Sequence, residues 1–457
     1  MGAEEAQPAS FRDPSGHLFR KDGVLYRQVA RGYAADYDLL VGSGLYAELV
    51  AAGLLVPHEE VAVEGHADAH RVLRPEAVEF VSYPYEWAFS ALRDAALLTL
   101  DVAERALRRG LVLKDASAFN VQFRGSSPVF IDTLSFEARR EGEPWIAYRQ
   151  FCEHFVAPLA LMARRDARLS GLWRAQLDGV PLDLASLLLP RSTWLRFGLL
   201  THLHLHARSQ AFYADRPAPS RRIAVSQTSL LALLDSLRRT VRALAPRRAP
   251  SEWADYERTH AYTEESQRAK EQLVARWLER LRPSQAWDLG ANVGRFSRIA
   301  ASGGAYVVSF DVDPAVVEEA YRRGRGEARR DILPLVLDLA NPSPGLGWEG
   351  RERGPLEARG RADALLALAL VHHLAIGRNV PLPRIAAWMA RLGRAAIVEF
   401  VPKDDPQARR LLRSRRDVFA GYTREGFEAA FGAAFSLEAS EELPGSGRVL
   451  YLWRGRA

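Results

Sequence analysis

Residues 286–300, AWDLGANVGRFSRIA, constrain the fold of this 457-residue chain more than any other stretch. The apolar start predicts a strand, the glycines predict a tight turn, and the amphipathic pattern that begins near Gly294 predicts a helix. Such a turn brings backbone close to a ligand, and a helix N-terminus presents unsatisfied N–H groups. The spacing Asp288-x-Gly290-x-Asn292-x-Gly294 differs from the dinucleotide fingerprint G-x-G-x-x-G. We therefore expect a ligand site of another kind at this turn.

The same pattern continues through the C-terminal half of the chain. From residue 251 onward, apolar strand patterns alternate with amphipathic helix patterns, which is typical of a doubly wound α/β domain. Strands are predicted in AYVVSFD, ILPLVLD, ADALLALAL and RAAIVEF, and SLEASEELPGSGRVLYLWRG predicts a closing antiparallel hairpin. Ligands of such folds bind at the carboxyl ends of the strands, so the candidate residues should be sought there.

In order and spacing, these segments resemble class I S-adenosylmethionine-dependent methyltransferases. WDLGANVG resembles motif I in its D-L-G-A-N-x-G variant, in which Asn292 takes the place of the usual middle glycine. The resemblance implies a Rossmann-like seven-stranded methyltransferase sheet and S-adenosyl-L-methionine as the cofactor. It also implies in-line transfer of the methyl group to a nucleophile that the protein holds close.

The resemblance assigns a cofactor role to six residues. Asp311 ends the second strand, where an acid of the family takes both ribose hydroxyls, which a carboxylate can do with its two oxygens. Asp338 follows the third strand and matches the position that accepts from the adenine amino group. The expected cofactor-binding residues are Asp288, Gly290, Asn292, Gly294, Asp311 and Asp338.

The acceptor side of the expected site carries three candidate catalytic residues. The segment ADALLALALVHHL resembles motif IV and places His372 and His373 where the strand opens into the site. One of them could be the base that a hydroxyl or protonated amine acceptor needs, or one could pack against the strand while the other lines the pocket. Glu399, at the end of the fifth strand, is an alternative group, unless it is solvated or paired. Tyr262 and Lys270 could cover the methionine end of the cofactor, although plain surface positions are favoured for both.

A second polar set occurs in the N-terminal half, in LKDASAFNVQFRGSSPVFID, residues 113–132. With the helix before it, this segment resembles the catalytic segment of protein-kinase-like and aminoglycoside-phosphotransferase-like lobes. By that resemblance Asp115 would be the base, and Asn120 and Asp132 would bind magnesium. The segment departs from the family because Leu-Lys precedes the aspartate and no G-x-G-x-x-G occurs upstream. The alternative is that Asp115 and Asn120 shape the loop by bonding to backbone.

These patterns divide the chain into three segments. Residues 1–213 are predicted as an α+β kinase-like domain, degenerate, with a possible role in binding the acceptor or a partner. Residues 214–250 are predicted as a helical connector, because Pro/Arg-rich stretches bracket a helical pattern there. Residues 251–457 are predicted as the class I methyltransferase domain.

Local patterns predict further elements in the N-terminal half. Residues 16–30 alternate around an Asp-Gly turn and predict a β-hairpin. Residues 144–210 predict mostly helix, with breaks at Pro158, Pro181 and Pro190. Both predictions depend only on neighbours in sequence.

THLHLHARS places three histidines at alternate positions, His202, His204 and His206. On a strand all three would share a face and could bind a metal, whereas on a helix only the first and third would. The flanking pattern predicts a helix, so no metal site is expected.

Composition argues against several classes of function. The chain has 62 basic and 56 acidic residues, and its arginines are scattered rather than clustered with aromatics, which argues against a nucleic-acid partner. The single cysteine, Cys152, fits a reducing compartment. The N-terminus lacks the apolar segment of a signal peptide, and no apolar run reaches the roughly 20 residues of a spanning helix. We therefore expect a cytoplasmic protein without a membrane span, and the Arg-, Ala- and Leu-rich composition suggests a bacterial source.

The whole arrangement resembles bacterial methyltransferases related to rhizobial host-specific nodulation proteins. That resemblance implies a small-molecule, glycan or lipid-linked acceptor. The sequence therefore predicts a methyltransferase that uses S-adenosyl-L-methionine. The alternatives are a bifunctional protein with an ATP-dependent kinase activity in the N-terminal domain, and a non-catalytic cofactor-binding protein. The sequence predicts neither the acceptor atom nor the oligomeric state.

Overall fold

The chain forms two units, each with its own β-sheet. The first unit comprises Met1–Arg247 with Gly345–Arg353, and the second comprises Arg248–Pro344 with Gly354–Ala457. The computed structural model describes residues 4–213, 224–246, 264–327, 331–413 and 416–456.

The first unit begins with an antiparallel sheet. Its five strands are β1 (Glu4–Ala6), β2 (Leu18–Lys21), β3 (Val24–Val29), β4 (His58–Glu60) and β5 (Arg71–Pro75), paired in the order β1-β2-β3-β5-β4. The predicted hairpin is confirmed, since β2 and β3 pair across Asp22 and Gly23, which both have positive φ as a tight hairpin turn requires. Two helices, α1 (Ala34–Gly42) and α2 (Leu45–Ala51), connect β3 to β4.

A 20-residue helix, α3 (Phe89–Arg108), leads into the polar segment of the first unit. One face of α3 is buried along its length, and Gly110 follows it at a φ of 80°, which suits the end of a helix. Four short strands come next and pair as β6-β9 and β7-β8: β6 (Leu111–Leu113), β7 (Val121–Arg124), β8 (Ser127–Phe130) and β9 (Phe136–Ala138). They hold the loop that contains Asp115 and Asn120.

The rest of the described first unit is mostly helical. Its helices are α4 (Tyr148–Phe151), α5 (Ala157–Arg164), α6 (Leu182–Leu188), α7 (Phe197–Leu199), α8 (His206–Tyr213) and α9 (Gln227–Arg242). The predicted break at Pro158 is wrong, because a π-helical turn, Cys152–Val156, joins α4 to α5 and places the proline in the first turn of α5. The proline has no N–H to donate to the preceding turn, and the Glu153 carbonyl oxygen accepts instead from the Val180 N–H at 2.9 Å. Pro181 and Pro190 do precede helical turns.

The second unit is built on a seven-stranded sheet. Its strands are β10 (Gln285–Leu289), β11 (Tyr306–Asp311), β12 (Ile332–Val336), β13 (Ala362–Ala367), β14 (Gly393–Phe400), β15 (Phe435–Glu442) and β16 (Val449–Gly455). They pair in the order β12-β11-β10-β13-β14-β16-β15. The pairs that involve β16 are antiparallel, and the pairs among the other strands are parallel. The predicted α/β fold and its closing hairpin are therefore confirmed.

Six described helices accompany this sheet: α10 (Glu264–Leu281), α11 (Arg295–Ser302), α12 (Pro314–Gly326), α13 (Leu382–Leu392), α14 (Pro406–Leu412) and α15 (Arg424–Ala434). The inner strands are buried almost throughout, which explains their continuous apolar sequences. Val274 and Trp277 of α10 pack with Ile397 of β14 in the core of the unit. In the described parts of the chain, no helix has both the length and the apolar character needed to cross a bilayer.

Candidate active site

The strand β10 delivers the glycine-containing turn to the carboxyl edge of the seven-stranded sheet. Gly290, Asn292 and Gly294 have φ values of 76°, 51° and 80°, so the backbone turns sharply before α11 begins. Asn292 tolerates this left-handed conformation better than most residues, and its side-chain oxygen accepts from the Val293 N–H at 2.7 Å. At Gly290 a Cβ would lie 3.2 Å from a methyl carbon of Leu370, so the loop after β13 lies directly against the turn.

Asp288 is a buried acid beneath this turn. Its Oδ2 accepts a hydrogen bond from the Ser297 hydroxyl at 2.6 Å, which ties the end of β10 to the first turns of α11. Burial raises the pKa of Asp288 to about 6, against the lowering effect of the Ser297 hydrogen bond and with a further rise from the Asp311 charge. The carboxylate of Asp288 therefore anchors the turn to α11, and its pKa depends on the charge of Asp311.

Asp311, at the end of β11, lies against the same turn. Its Oδ2 accepts from the backbone N–H of Asn292 at 2.9 Å, and its Oδ1 accepts from that of Asp313 at 3.0 Å. Burial raises the pKa of Asp311 to about 6, although these N–H groups favour the carboxylate. The structure thus brings together the two parts of the predicted cofactor site that the sequence separates by 19 residues.

Asp338 follows β12 and is only half-buried. Its Oδ1 accepts from the Ala340 N–H at 2.9 Å, and its Oδ2 lies 3.4 Å from a guanidinium nitrogen of Arg378. The side chain is therefore held at the carboxyl edge of the sheet, at the end of the strand next to β11.

His372 and His373 follow β13, at the start of a π-helical turn. The two rings lie 4.1 Å apart, and His372 is fully buried. Neither ring nitrogen of His372 has a hydrogen-bond partner among the described residues. Burial, followed by the His373 ring and the Arg448 and Lys270 charges, lowers the pKa of His372 well below its usual value. Burial lowers the pKa of His373 to about 4, so both rings are neutral at pH 7.

Glu399 is fully buried at the end of β14 and bonds to three groups. Its Oε2 accepts from Lys270 Nζ at 2.7 Å and from the Ala369 N–H at 2.8 Å, while its Oε1 lies 3.4 Å from Arg448. The prediction of a surface position for Lys270 is wrong, because α10 turns this residue toward the sheet and leaves it 2% exposed. Burial lowers the pKa of Lys270, and Glu399 opposes that shift.

Arg448 extends this arrangement to Asp405. Its guanidinium makes two hydrogen bonds to the Asp405 carboxylate, of 2.7 and 3.1 Å, in the bidentate geometry that favours such pairs. We call Lys270, Glu399, Arg448 and Asp405 the buried charge cluster. Sequence reasoning missed Arg448 and Asp405. The available signals were the position of Arg448 directly before an apolar strand and the position of Asp405 directly before Pro406.

The polar residues Asp115, Asn120 and Asp132 of the first unit bond to neighbouring backbone groups and to an arginine. Asp115 accepts from the Ser117 N–H at 2.9 Å, and the Asn120 amide donates to the Asp115 carbonyl oxygen at 3.4 Å. Asp132, expected as a magnesium ligand, instead pairs with Arg27 at 2.9 Å. Among the described residues, no three His, Cys, Asp or Glu side chains are grouped to hold a metal. The loop-shaping interpretation fits these contacts, and a kinase-like domain is not supported.

The three alternating histidines lie on a helix, as predicted: a π-helical turn, Leu200–Leu205, leads into α8. His202 bonds to the Tyr148 hydroxyl and to the Ser236 hydroxyl, each at 2.8 Å. The ring of His206 stacks on Tyr148, while His204 bonds elsewhere, so the rings do not converge. Tyr262 lies outside the described residues.

The strand order of the second unit, with one antiparallel strand in the next-to-last position, is that of class I S-adenosylmethionine-dependent methyltransferases. The second unit therefore has a methyltransferase-like α/β fold. Over 453 residues the chain is 36% identical to nodulation protein NoeA of Rhizobium meliloti (strain 1021), which covers 97% of this chain and 94% of that protein. The chain belongs to the NoeA family of nodulation proteins. No family model matches it.

Two solved structures resemble parts of the chain. One is the N-methyltransferase NodS from Bradyrhizobium japonicum WM9 in complex with S-adenosyl-L-homocysteine. It is 14% identical, the match covers 45% of this chain and 98% of that chain, and the TM-score is 0.33. The other is magnesium protoporphyrin IX methyltransferase (ChlM) from Synechocystis PCC 6803 with bound SAM, with 18% identity, coverages of 46% and 100%, and a TM-score of 0.31. The fold is assigned from the strand order of the sheet.

Proposed function

We propose that the second unit is a methyltransferase that binds S-adenosyl-L-methionine at the carboxyl edge of its sheet. The observation that carries this proposal is the hydrogen bond from the Asn292 N–H to Asp311, which joins the glycine-containing turn to the acid at the end of the next strand. The bound cofactor would supply an electrophilic methyl group. The protein's own task is then to position cofactor and acceptor and to handle the acceptor's proton.

The residues at this edge suit a nucleoside. A carboxylate has about four acceptor sites, and backbone N–H groups engage Asp311 without exhausting them, so its oxygens can also accept from two ribose hydroxyls. Gly290 and Gly294 leave the turn without side chains, which lets backbone approach the ligand. Asp338 can accept from the adenine amino group at the end of β12. Asp288, buried below the turn, completes the set as an anchor.

On the acceptor side the proton-accepting role is assigned to the pair His372 and His373. Both rings are neutral at pH 7, and His373 is the partly exposed member of the pair, so it can accept a hydrogen bond from a hydroxyl or amine acceptor while the buried His372 packs beside it. Glu399 is assigned a positioning role instead, because its carboxylate already bonds to Lys270, Arg448 and the Ala369 backbone. For the acceptor we propose a small molecule, a glycan or a lipid-linked compound.

Calorimetric titration of the purified protein with S-adenosyl-L-methionine tests the cofactor site. Asp311→Ala removes two charge-assisted hydrogen bonds to ribose, each worth about 1.5–3 kcal/mol, so we expect affinity to fall at least about 100-fold. Asp363→Ala is a matched control, because Asp363 also accepts from two backbone N–H groups but lies at the amino end of β13. Absence of binding in the wild type, or equal affinity in both variants, would contradict the proposal.

The same titration with ATP and magnesium tests the kinase alternative. Because Arg27 already occupies the Asp132 carboxylate, we expect no ATP binding. Magnesium-dependent binding that Asp132→Ala abolishes would reinstate that alternative. Cofactor binding without methyl transfer to any acceptor pool would indicate a non-catalytic binding protein.

A further inference from the structure

A cavity of about 400 Å³ lies in the first unit, where α9 packs against α7. Its volume is within the range of small-ligand pockets. The helices approach closely because Gly198 has no side chain: a Cβ there would lie 2.2 Å from the Thr240 hydroxyl oxygen. Arg164, at the end of α5, and the exposed pair Arg196 and Phe197 also line the cavity.

Two of the arginines that line this cavity have no carboxylate partner in the described part of the chain. Among the described residues, no carboxylate pairs with Arg164 or Arg196, and Arg164 Nε is buried without a hydrogen-bond partner. Burial, and then the charge of Arg196, lower the pKa of Arg164, as expected for two guanidinium groups near each other. Arg239, also in the lining, differs because Asp235 neutralises it at 3.0 Å. Two unneutralised guanidinium groups favour an anionic ligand.

Apolar side chains protrude beside these arginines. Leu195, Leu187 and Phe197 are 90%, 80% and 77% exposed, the highest values among the large apolar residues that the structure describes. Phe197 lines the cavity, and Leu195 precedes Arg196. Leu187 lies at the end of α6, which reaches the same region because Arg165 donates to the Leu188 carbonyl at 2.6 Å. Exposed apolar side chains next to basic ones are typical of surfaces that bind at a lipid interface.

We propose that this cavity binds the anionic phosphate of a membrane lipid through Arg164 and Arg196, while Leu187, Leu195 and Phe197 enter the outer acyl region. We call this surface the lipid-facing patch. A guanidinium group donates two parallel hydrogen bonds to phosphate, which satisfies the unpartnered Arg164 nitrogen. The apolar side chains leave water on contact with the acyl region, which favours association further. This proposal does not depend on methyl transfer.

Co-sedimentation of the full chain with vesicles tests the proposal. We expect binding to phosphatidylcholine vesicles that contain phosphatidylglycerol and little binding to pure phosphatidylcholine. Arg164→Gln with Arg196→Gln should lower the partition coefficient about 30-fold, the effect of two basic residues at an anionic surface. Replacement of both arginines by lysine keeps the charge but loses the paired hydrogen bonds to phosphate, so its partition coefficient should lie between those of the wild type and the glutamine variant. Leu195→Ser with Phe197→Ser should lower binding by at least about tenfold.

Two control variants separate the lipid-facing patch from general surface properties. Ile146→Ser changes a residue that is 70% exposed but does not line the cavity, and Arg140→Gln removes an exposed charge elsewhere in the unit. Both should bind vesicles like the wild type. The proposal is overturned if the wild type does not sediment with anionic vesicles, or if the controls lose as much binding as the patch variants. It is also overturned if inorganic phosphate raises the melting temperature in an Arg164- and Arg196-dependent way while vesicles do not bind, since the site would then serve a soluble anion.

Discussion

Glu399→Gln removes one negative charge from the buried charge cluster and leaves the side-chain volume nearly unchanged. Glu399 lies 2.7 Å from Lys270 and 3.4 Å from Arg448, and the three side chains are at most 3% exposed. In the variant, the ammonium group of Lys270 loses its close carboxylate but remains away from water. Removing one partner of a buried ion pair typically costs about 3–5 kcal/mol, because the remaining charge stays desolvated.

The expected loss of stability is therefore about 3–5 kcal/mol for Glu399→Gln. Glu438→Gln is the matched control, since Glu438 also lies between two cations, Arg280 at 3.0 Å and Arg454 at 2.7 Å. Those arginines are 55% and 45% exposed, so water compensates for the lost charge. We expect the control to cost about 0–1 kcal/mol.

Hydrogen exchange measures this difference within the second unit, because peptides from β13 and β14 report the opening of this sheet without contributions from the first unit. The double variant Lys270→Met with Glu399→Gln should be more stable than Glu399→Gln alone, since it removes both buried charges. Equal costs for Glu399→Gln and Glu438→Gln would refute the reasoning, and so would a double variant less stable than the single one.

Three further outcomes follow from the site and from the cavity. The folded-state pKa of Asp288 and of Asp311 is raised to about 6, so the folded chain binds more protons than the unfolded chain between about pH 4 and 6. These two groups therefore make the free energy of unfolding fall as the pH rises through that window. Asp288→Asn should remove the contribution of Asp288 to this pH dependence. In urea titrations the variant should be more stable than the wild type by up to about 3 kcal/mol at pH 7 but not at pH 4. An equal free energy of unfolding at pH 7 would contradict this. Affinity for S-adenosyl-L-methionine should decrease below about pH 6 as Asp311 gains a proton, and a flat calorimetric profile contradicts this. Gly198→Ala should cost about 1–3 kcal/mol of stability, because the new Cβ would overpack against Thr240. Thermal unfolding measures this against the control Gly171→Ala, where a Cβ has open space. Similar losses of stability in both variants would argue against the close approach of the two helices.

Features that depend on neighbours in sequence were predictable. The glycines and Asn292 after an apolar strand predicted the sharp turn, and the period of apolar residues predicted the helix α11 and the closing hairpin. The Asp22-Gly23 pair predicted its hairpin for the same reason. Backbone conformation at a turn and the periodic burial of one face are local properties, so the sequence alone determined them.

The partners of charged residues were decided only by the tertiary structure. Lys270 pairs with Glu399 across 129 residues, and Arg448 pairs with Asp405 across 43. In a sequence, each of these charges suggests a solvated surface position, because nothing local reports that another charge will lie close enough to offset the cost of burial. Asp132 likewise pairs with a residue far away in the sequence, Arg27, and this pairing leaves a kinase-like role without support. Burial and long-range pairing depend on how distant elements pack, and only the folded chain determines them.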